Sequence, residues 1–278
     1  MNKFSRLFLV LSAAMAFSAG AQAAGSCTAG STISDATVDC GGAEIGLSCD
    51  GDSDKQSPVL ILKNATVKNV TISAKGGSDG IHCAGGTCNL INVTWKEVCE
   101  DAASVIADNA KLVVSGGSAT NTNSSTASLG GKPDKFFQVN NKNTSLTVKD
   151  NFTAIIAKGN LSASAGKLAR TCGNCTTNIG PRTIVVNNVT TKGALLTVVG
   201  VNSSYLDANS KTVSGVYDTA TITNLTVEGY KLSGTKSTPV ICEEFTGLPK
   251  SLGKESPSQG QKWGTKSCVV STSNVKAL

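Results

Sequence analysis

Aromatic residues make up only 4% of this 278-residue sequence, and histidine occurs once, at His82. With few rings to stack on bases, and lysines scattered instead of gathered into a stripe, nucleic acid is not an expected partner. A histidine general base and a Ser-His-Asp set both reduce to His82. That residue sits between a glycine-flanked turn and Cys83, where packing or hydrogen bonding is its expected role. Helix-forming runs are scarce beyond the N-terminal segment. No later stretch approaches the roughly 18 uninterrupted apolar residues of a membrane span, so no membrane partner is expected either.

The N-terminus reads as a secretory signal over residues 1–23. Lys3 and Arg6 lead, an apolar stretch runs from Leu7 to Phe17, and Ala21-Gln22-Ala23 supplies small residues for cleavage. All ten cysteines lie beyond it, and an even number in an exported chain favours up to five disulfides, whose pairing the sequence leaves open. Cys172-Gly173-Asn174-Cys175 admits a redox or zinc reading, but one histidine and no second such pair favour a structural disulfide. The net charge of +6 falls to +4 without Lys3 and Arg6, an excess that suits a polyanionic ligand without demanding one. No linker is visible, so residues 24–278 are read as one domain and as a monomer, with an irregular tail from about Ser251 held by Cys268.

Glycine, threonine, asparagine and valine dominate, and short β-branched stretches recur between polar turns, the composition of an all-β protein. An apolar pair followed by Asn and then Val-Thr or Leu-Thr repeats around Asn64, Asn69, Asn92, Asn188 and Asn224. From Asn69 to Asn92 is 23 residues, a period that points to a parallel β-helix in which each coil covers the apolar face of the next. Asparagines at a fixed turn can then stack from coil to coil. Many of them, and Asn202 too, also sit in Asn-X-Ser/Thr sequons; glycans are expected mainly on the polar insertion from Asn121 to Ser128. Trp95 lies in an apolar strand and is expected in the core, while Trp263 is a second candidate for stacking on a sugar ring.

The few charges are grouped. Asp79-Gly80-Ile81-His82-Cys83 is followed shortly by Glu100-Asp101, and three carboxylates from adjacent repeats suggest a site for a hard divalent cation. A cationic set follows: Asp134-Lys135, then Lys167-Leu168-Ala169-Arg170. Carboxylates at β-helix turns are often simply solvated, but an acidic set followed by a cationic one is the order that a lyase acting on an acidic sugar polymer needs.

Four motifs carry a family resemblance. They are Asp79-Gly80-Ile81-His82-Cys83; Trp95-Lys96-Glu97-Val98-Cys99-Glu100-Asp101-Ala102; Asp134-Lys135-Phe136-Phe137-Gln138; and Lys167-Leu168-Ala169-Arg170-Thr171-Cys172-Gly173-Asn174-Cys175. In this order they make the chain resemble the family 3 polysaccharide lyases, secreted pectate lyases of bacteria, fungi, oomycetes and nematodes. The resemblance implies a single-domain right-handed parallel β-helix (a solenoid) that cleaves polygalacturonate with calcium. It implies that Asp79, Glu100, Asp101 and Asp134 hold Ca2+ and that Lys135 is the leading base, with Arg170 the alternative. Lys167 and Arg170 would grip uronate carboxylates or stabilise charge, and Asp54 would lie near the substrate. Ala169 stands where relatives carry an aromatic, a departure that bears on substrate stacking more than on chemistry.

The implied reaction is β-elimination. A free lysine ionises near about 10.4, so a lysine base predicts an alkaline activity optimum. Guanidinium stays charged to higher pH and suits carboxylate binding better. A glycoside hydrolase is disfavoured for want of a carboxylate pair in the setting such enzymes use. The rival reading is a catalytically silent β-helix that binds pectin or a host surface.

Overall fold

The computed structural model describes residues 27–50, 55–121, 135–156, 166–176, 179–193 and 195–278. The expected signal segment, Asp54, Asp134 and residues 122–128 of the expected glycosylation loop lie outside them. The chain is all-β and winds into a right-handed parallel β-helix, the hand that parallel crossovers take. A first wall stacks Ser31–Ser34, Leu60–Lys63, Ile81–Cys83, Ala103–Val105, Lys135–Val139, Lys167–Thr171, Thr197–Leu206 and Val240–Gly247, each parallel to the next. The second and third walls merge into one 13-stranded sheet. Their junction is the long strand Thr144–Ile156, which pairs with Lys111–Ser115 through its first half and with Ser118–Asn121 through its second.

Period-two alternation explains why these segments are strands. In the first wall Leu60, Ile81, Ala103, Phe137, Ala169, Val199 and Cys242 stack in register, all at 0% exposure. The residues between the inward ones, such as His82, Gln138 and Arg170, are half-exposed on the outer face. Trp95 is fully buried, as expected, and meets Phe137 and Phe152 edge-on at centroid distances of 6.0 and 6.4 Å. Ala169 belongs to the inward row. An aromatic there would enter the core, so its absence does not bear on substrate stacking, contrary to the expectation from sequence.

The recurring asparagines turn the corners between walls, because Asn tolerates the left-handed backbone that a sharp corner needs. Asn64, Asn69, Asn92, Asn188 and Asn224 have φ of 48, 52, 54, 57 and 49°. They do not form one ladder, however. Asn64 turns the first corner and donates to Asp35 Oδ1 at 2.8 Å. At the second corner Asn92 donates to Asn69 Oδ1 at 2.9 Å, and Asn188 to Asn151 Oδ1 at 3.0 Å. Between those two runs the corner is Gly116-Gly117, where a Cβ at Gly117 would lie 2.1 Å from Val93 O.

All ten cysteines are paired: Cys27–Cys40, Cys49–Cys99, Cys83–Cys88, Cys172–Cys175 and Cys242–Cys268. The Cys172–Cys175 pair is the disulfide expected of that motif. The C-terminal segment is more ordered than its composition suggests, since Ser258–Gln261 adds an antiparallel strand to the end of the first wall.

Core packing should outweigh the corner amides in holding the coils together. Phe152→Ala is expected to lower unfolding free energy by about 3–5 kcal/mol, and Asn92→Ala by about 0.5–1.5 kcal/mol, measured by denaturant unfolding. A loss for Asn92→Ala equal to that for Phe152→Ala would show that the ladders carry the fold.

Candidate active site

The register that aligns Ile81, Ala103 and Phe137 also aligns what precedes them: Asp79-Gly80, Asp101-Ala102 and Lys135-Phe136 on three successive coils. Gly80, at φ 54°, lets the first two approach closely. A Cβ on it would lie 2.2 Å from Asp101 O and 2.4 Å from Ala102 O. The Cys49–Cys99 disulfide fixes the residue before Glu100. As a result, ligand oxygens of Asp79, Glu100 and Asp101 lie within 4.8 Å of one another, with Glu100 and Asp101 buried and Asp79 half-buried.

Each carboxylate is oriented by a neighbour. His82 Nε2 lies 3.0 Å from Asp79 Oδ2, a contact of the hydrogen-bonding kind expected for this residue. Ser104 Oγ donates to Asp101 Oδ2 at 2.6 Å, and Lys135 Nζ stands 3.6 Å from Asp101 Oδ1. Burial, followed by the charge of Asp101, pushes the Glu100 carboxyl up to about 10 against the opposing pull of Lys135; a hydrogen bond to Asp79 adds to the rise. At neutral pH Glu100 therefore keeps its proton. The donor set is oxygen-only and concentrated, and it holds a proton that a cation can displace. Those properties fit a hard divalent cation.

The other cations form a second group one coil further on. Lys167 pairs in register with Lys135, and Arg170 with Gln138. The Arg170 guanidinium lies 3.7 Å over the Phe245 ring and Lys167 Nζ lies 5.7 Å from it, so one ring supports both charges. Gly200 leaves the space they occupy, since a Cβ there would come within 2.8 Å of Arg170 Cδ and 3.1 Å of Phe245 Cε2. Arg170 also donates to Thr171 O at 3.1 Å, Asn202 Oδ1 at 3.4 Å and Ser256 Oγ at 3.2 Å.

An open groove of about 520 Å³ runs from Asp79, His82, Glu100 and Asp101 over Ser104 and Gln138 to Asn140 and the Cys172–Cys175 loop, with Lys250 and Glu255 on its far side. Trp263 lies elsewhere. It lines a separate cavity with Lys236 and Lys262, and its Nε1 donates to Thr235 O at 2.9 Å. Sequence reasoning found the carboxylates and Lys135 but missed Ser104 and Phe245. Ser104 follows Asp101 by three residues and was legible as a local partner; Phe245 is distant in sequence and had no local signal.

Two outcomes follow from this geometry. Because Glu100 ionises near 4.5 when unfolded and near 10 when folded, the folded state binds the extra proton, and the metal-free protein should lose stability as pH rises through that window. Added calcium should restore stability most at the alkaline end, as read by thermal unfolding across pH. Gly80→Ala should force the Asp79 and Asp101 coils apart and abolish calcium-induced stabilisation in a chain whose far-ultraviolet circular dichroism is unchanged. Full stabilisation of that variant would show that the close approach at Gly80 does not build the cluster.

A family model described as pectate lyase matches residues 15–251. Probable pectate lyase D of Emericella nidulans is 34% identical over 187 residues, and pectate lyase H of the same organism 37% over 174 residues, covering 66% and 61% of this chain. The chain spans only 60% and 54% of those relatives' own length. Among solved structures, pectate lyase Pel3 of Pectobacterium carotovorum superposes with a TM-score of 0.78 at 45% identity, over 94% of this chain and 73% of that one. The catalytic domain of pectate lyase PelI from Erwinia chrysanthemi gives 0.76 at 44%, over 91% of this chain and 99% of that one. PelI in complex with tetragalacturonic acid gives 0.71 at 40%, over 91% of this chain and 71% of that one. With the family model matched from residue 15 to residue 251, most of its length, the chain belongs to the pectate lyase family.

Proposed function

We propose that the protein is a secreted pectate lyase that cleaves de-esterified pectin by calcium-dependent β-elimination, leaving unsaturated oligogalacturonides. The observation that carries this reading is the adjacency of the carboxylate cluster to Lys135, with Lys167 and Arg170 in register on the next coil. That arrangement offers an acidic pocket for a cation beside cations suited to uronate carboxylates. The relative that binds tetragalacturonic acid supports the choice of polymer. Export rests on the N-terminal signal pattern and the five disulfides.

Asp79, Glu100 and Asp101 would hold calcium, with Asp134 added on the strength of its motif and its position next to Lys135. Bound there, calcium supplies a Lewis acid for the uronate carboxylate. Lys135, released from Asp101 and present as the neutral amine at alkaline pH, takes the proton from C5 and becomes the ammonium. The C5–H electron pair becomes the C4–C5 double bond, the C4–O bond breaks, and the departing oxygen takes a proton from solvent. Arg170 is the poorer base because guanidinium stays charged at pH values where a lysine has already lost its proton. Its close contact with Phe245 and three hydrogen bonds suit a fixed grip on carboxylate. Lys167 shares that work, and Asp54 is assigned to the substrate's edge by motif alone.

Purified protein acting on polygalacturonate at alkaline pH should raise the ultraviolet absorbance of unsaturated uronates, and excess chelator should abolish the rise. Lys135→Ala should lower kcat by about 10²–10⁴-fold while polygalacturonate binding persists. No absorbance change from folded wild-type protein with calcium would favour the silent pectin-binding reading instead.

A further inference from the structure

Four polar side chains that this chemistry does not use lie behind the groove wall. Arg182, Asn202, Tyr205 and Asp218 are 1, 0, 0 and 0% exposed. A buried ion pair is weak evidence for stability, because well-packed apolar groups would serve as well or better. The arrangement of these four is specific. Asp218 Oδ1 accepts the backbone N–H of Arg182 at 2.8 Å; Oδ2 accepts from Tyr205 OH at 2.6 Å and from Asn202 Nδ2 at 3.1 Å. Arg182 Nη1 donates to Tyr205 OH at 2.8 Å and lies 3.7 Å from Asp218 Oδ2. No slack remains nearby, since a Cβ on Gly180 would sit 2.4 Å from Asp218 Oδ1.

Two links run from this quartet to the site. The first is the Arg182 guanidinium, which donates to the backbone carbonyls of Asn140, Asn141 and Cys172. Asn140 and Cys172 line the groove and directly follow the strands that carry Lys135 and Arg170. The second is the Asn202 amide. Its Nδ2 faces Cys172 O at 2.7 Å, the Asp218 carboxylate, and Tyr205 OH at 3.3 Å. Turning the amide over would set its oxygen against a carboxylate and a carbonyl, so Oδ1 is fixed toward Arg170 Nη1.

We infer that Arg182, Asn202, Tyr205 and Asp218 form a buried positioning device that aims the Arg170 guanidinium at the substrate, acting through Asn202. None of the four touches substrate; each is a positioning residue. The inference rests on the reading of Arg170 as a uronate-binding cation. It also removes Asn202 from the set of usable sequons, because its amide nitrogen is buried and committed in the folded chain.

The test is a double-mutant cycle on polygalacturonate with calcium, using Asn202→Ala, Arg170→Lys and the pair, together with the NMR signal of the Arg170 Nε–H. Asn202→Ala should lower kcat/KM by up to about a hundredfold and shift the Arg170 signal. In the Arg170→Lys background it should lower kcat/KM little further. Tyr205→Phe, which removes one hydroxyl from the quartet, should give a smaller loss with the same dependence on Arg170, and it carries the test if Asn202→Ala does not fold. Losses that add fully across the cycle, or an Arg170 signal unmoved by either substitution, would overturn the inference. An Arg170 signal that shifts in both variants as expected, alongside wild-type protein that never turns over polygalacturonate, would overturn the proposed function while leaving the positioning device standing.

Discussion

Carboxylates 22 residues apart in sequence, Asp79 and Asp101 (101 − 79), lie side by side because parallel coils repeat in register. The constraint is set by the core. Ile81, Ala103, Phe137 and Ala169 must stack inward, and a slip of one residue would turn each of them out to solvent. The residues that precede each strand inherit that alignment. Asp79, Glu100 and Asp101 would repel one another if all were charged, and packing beneath them imposes their closeness. Gly80 then sets how close they come, and the unfavourable charge is relieved by a proton on Glu100, by Lys135, or by a cation.

The cationic side of the site is built differently. Lys167 and Arg170 come from one strand, but their support comes from Phe245 two coils away and from Ser256 in the C-terminal segment. The acidic side is thus fixed by backbone approach and a disulfide, and the cationic side by a ring, a C-terminal segment and a buried polar quartet. The acidic and cationic sides are therefore open to separate adjustment by substitutions that never meet.

What could be read in the sequence follows the same division. The carboxylates, Lys135, Lys167 and Arg170 were legible because they sit in short motifs, and the all-β solenoid was legible from its turn asparagines and β-branched runs. The repeat nonetheless blended two corners, since Asn64 and Asn69 carry similar flanking residues and turn different edges. Ala169 was misjudged because a motif does not say which of its positions point inward. Phe245, Tyr205 and Asp218 carried no signal at all: their partners lie on other coils, and the length of each coil depends on segments that obey no period. Asn202 gave a misleading signal, since its sequon reads as a surface feature and the residue is buried.

Because the wall strands return to register whatever length of chain separates them, 22 residues from Ile81 to Ala103 (103 − 81) and 34 from Ala103 to Phe137 (137 − 103), the connecting segments are free of the geometry they join. The chemistry is a property of the stacked wall, while the shape of the groove's banks is a property of the loops. Natural variation can therefore lengthen or shorten those banks without disturbing the alignment of the carboxylates that line the groove.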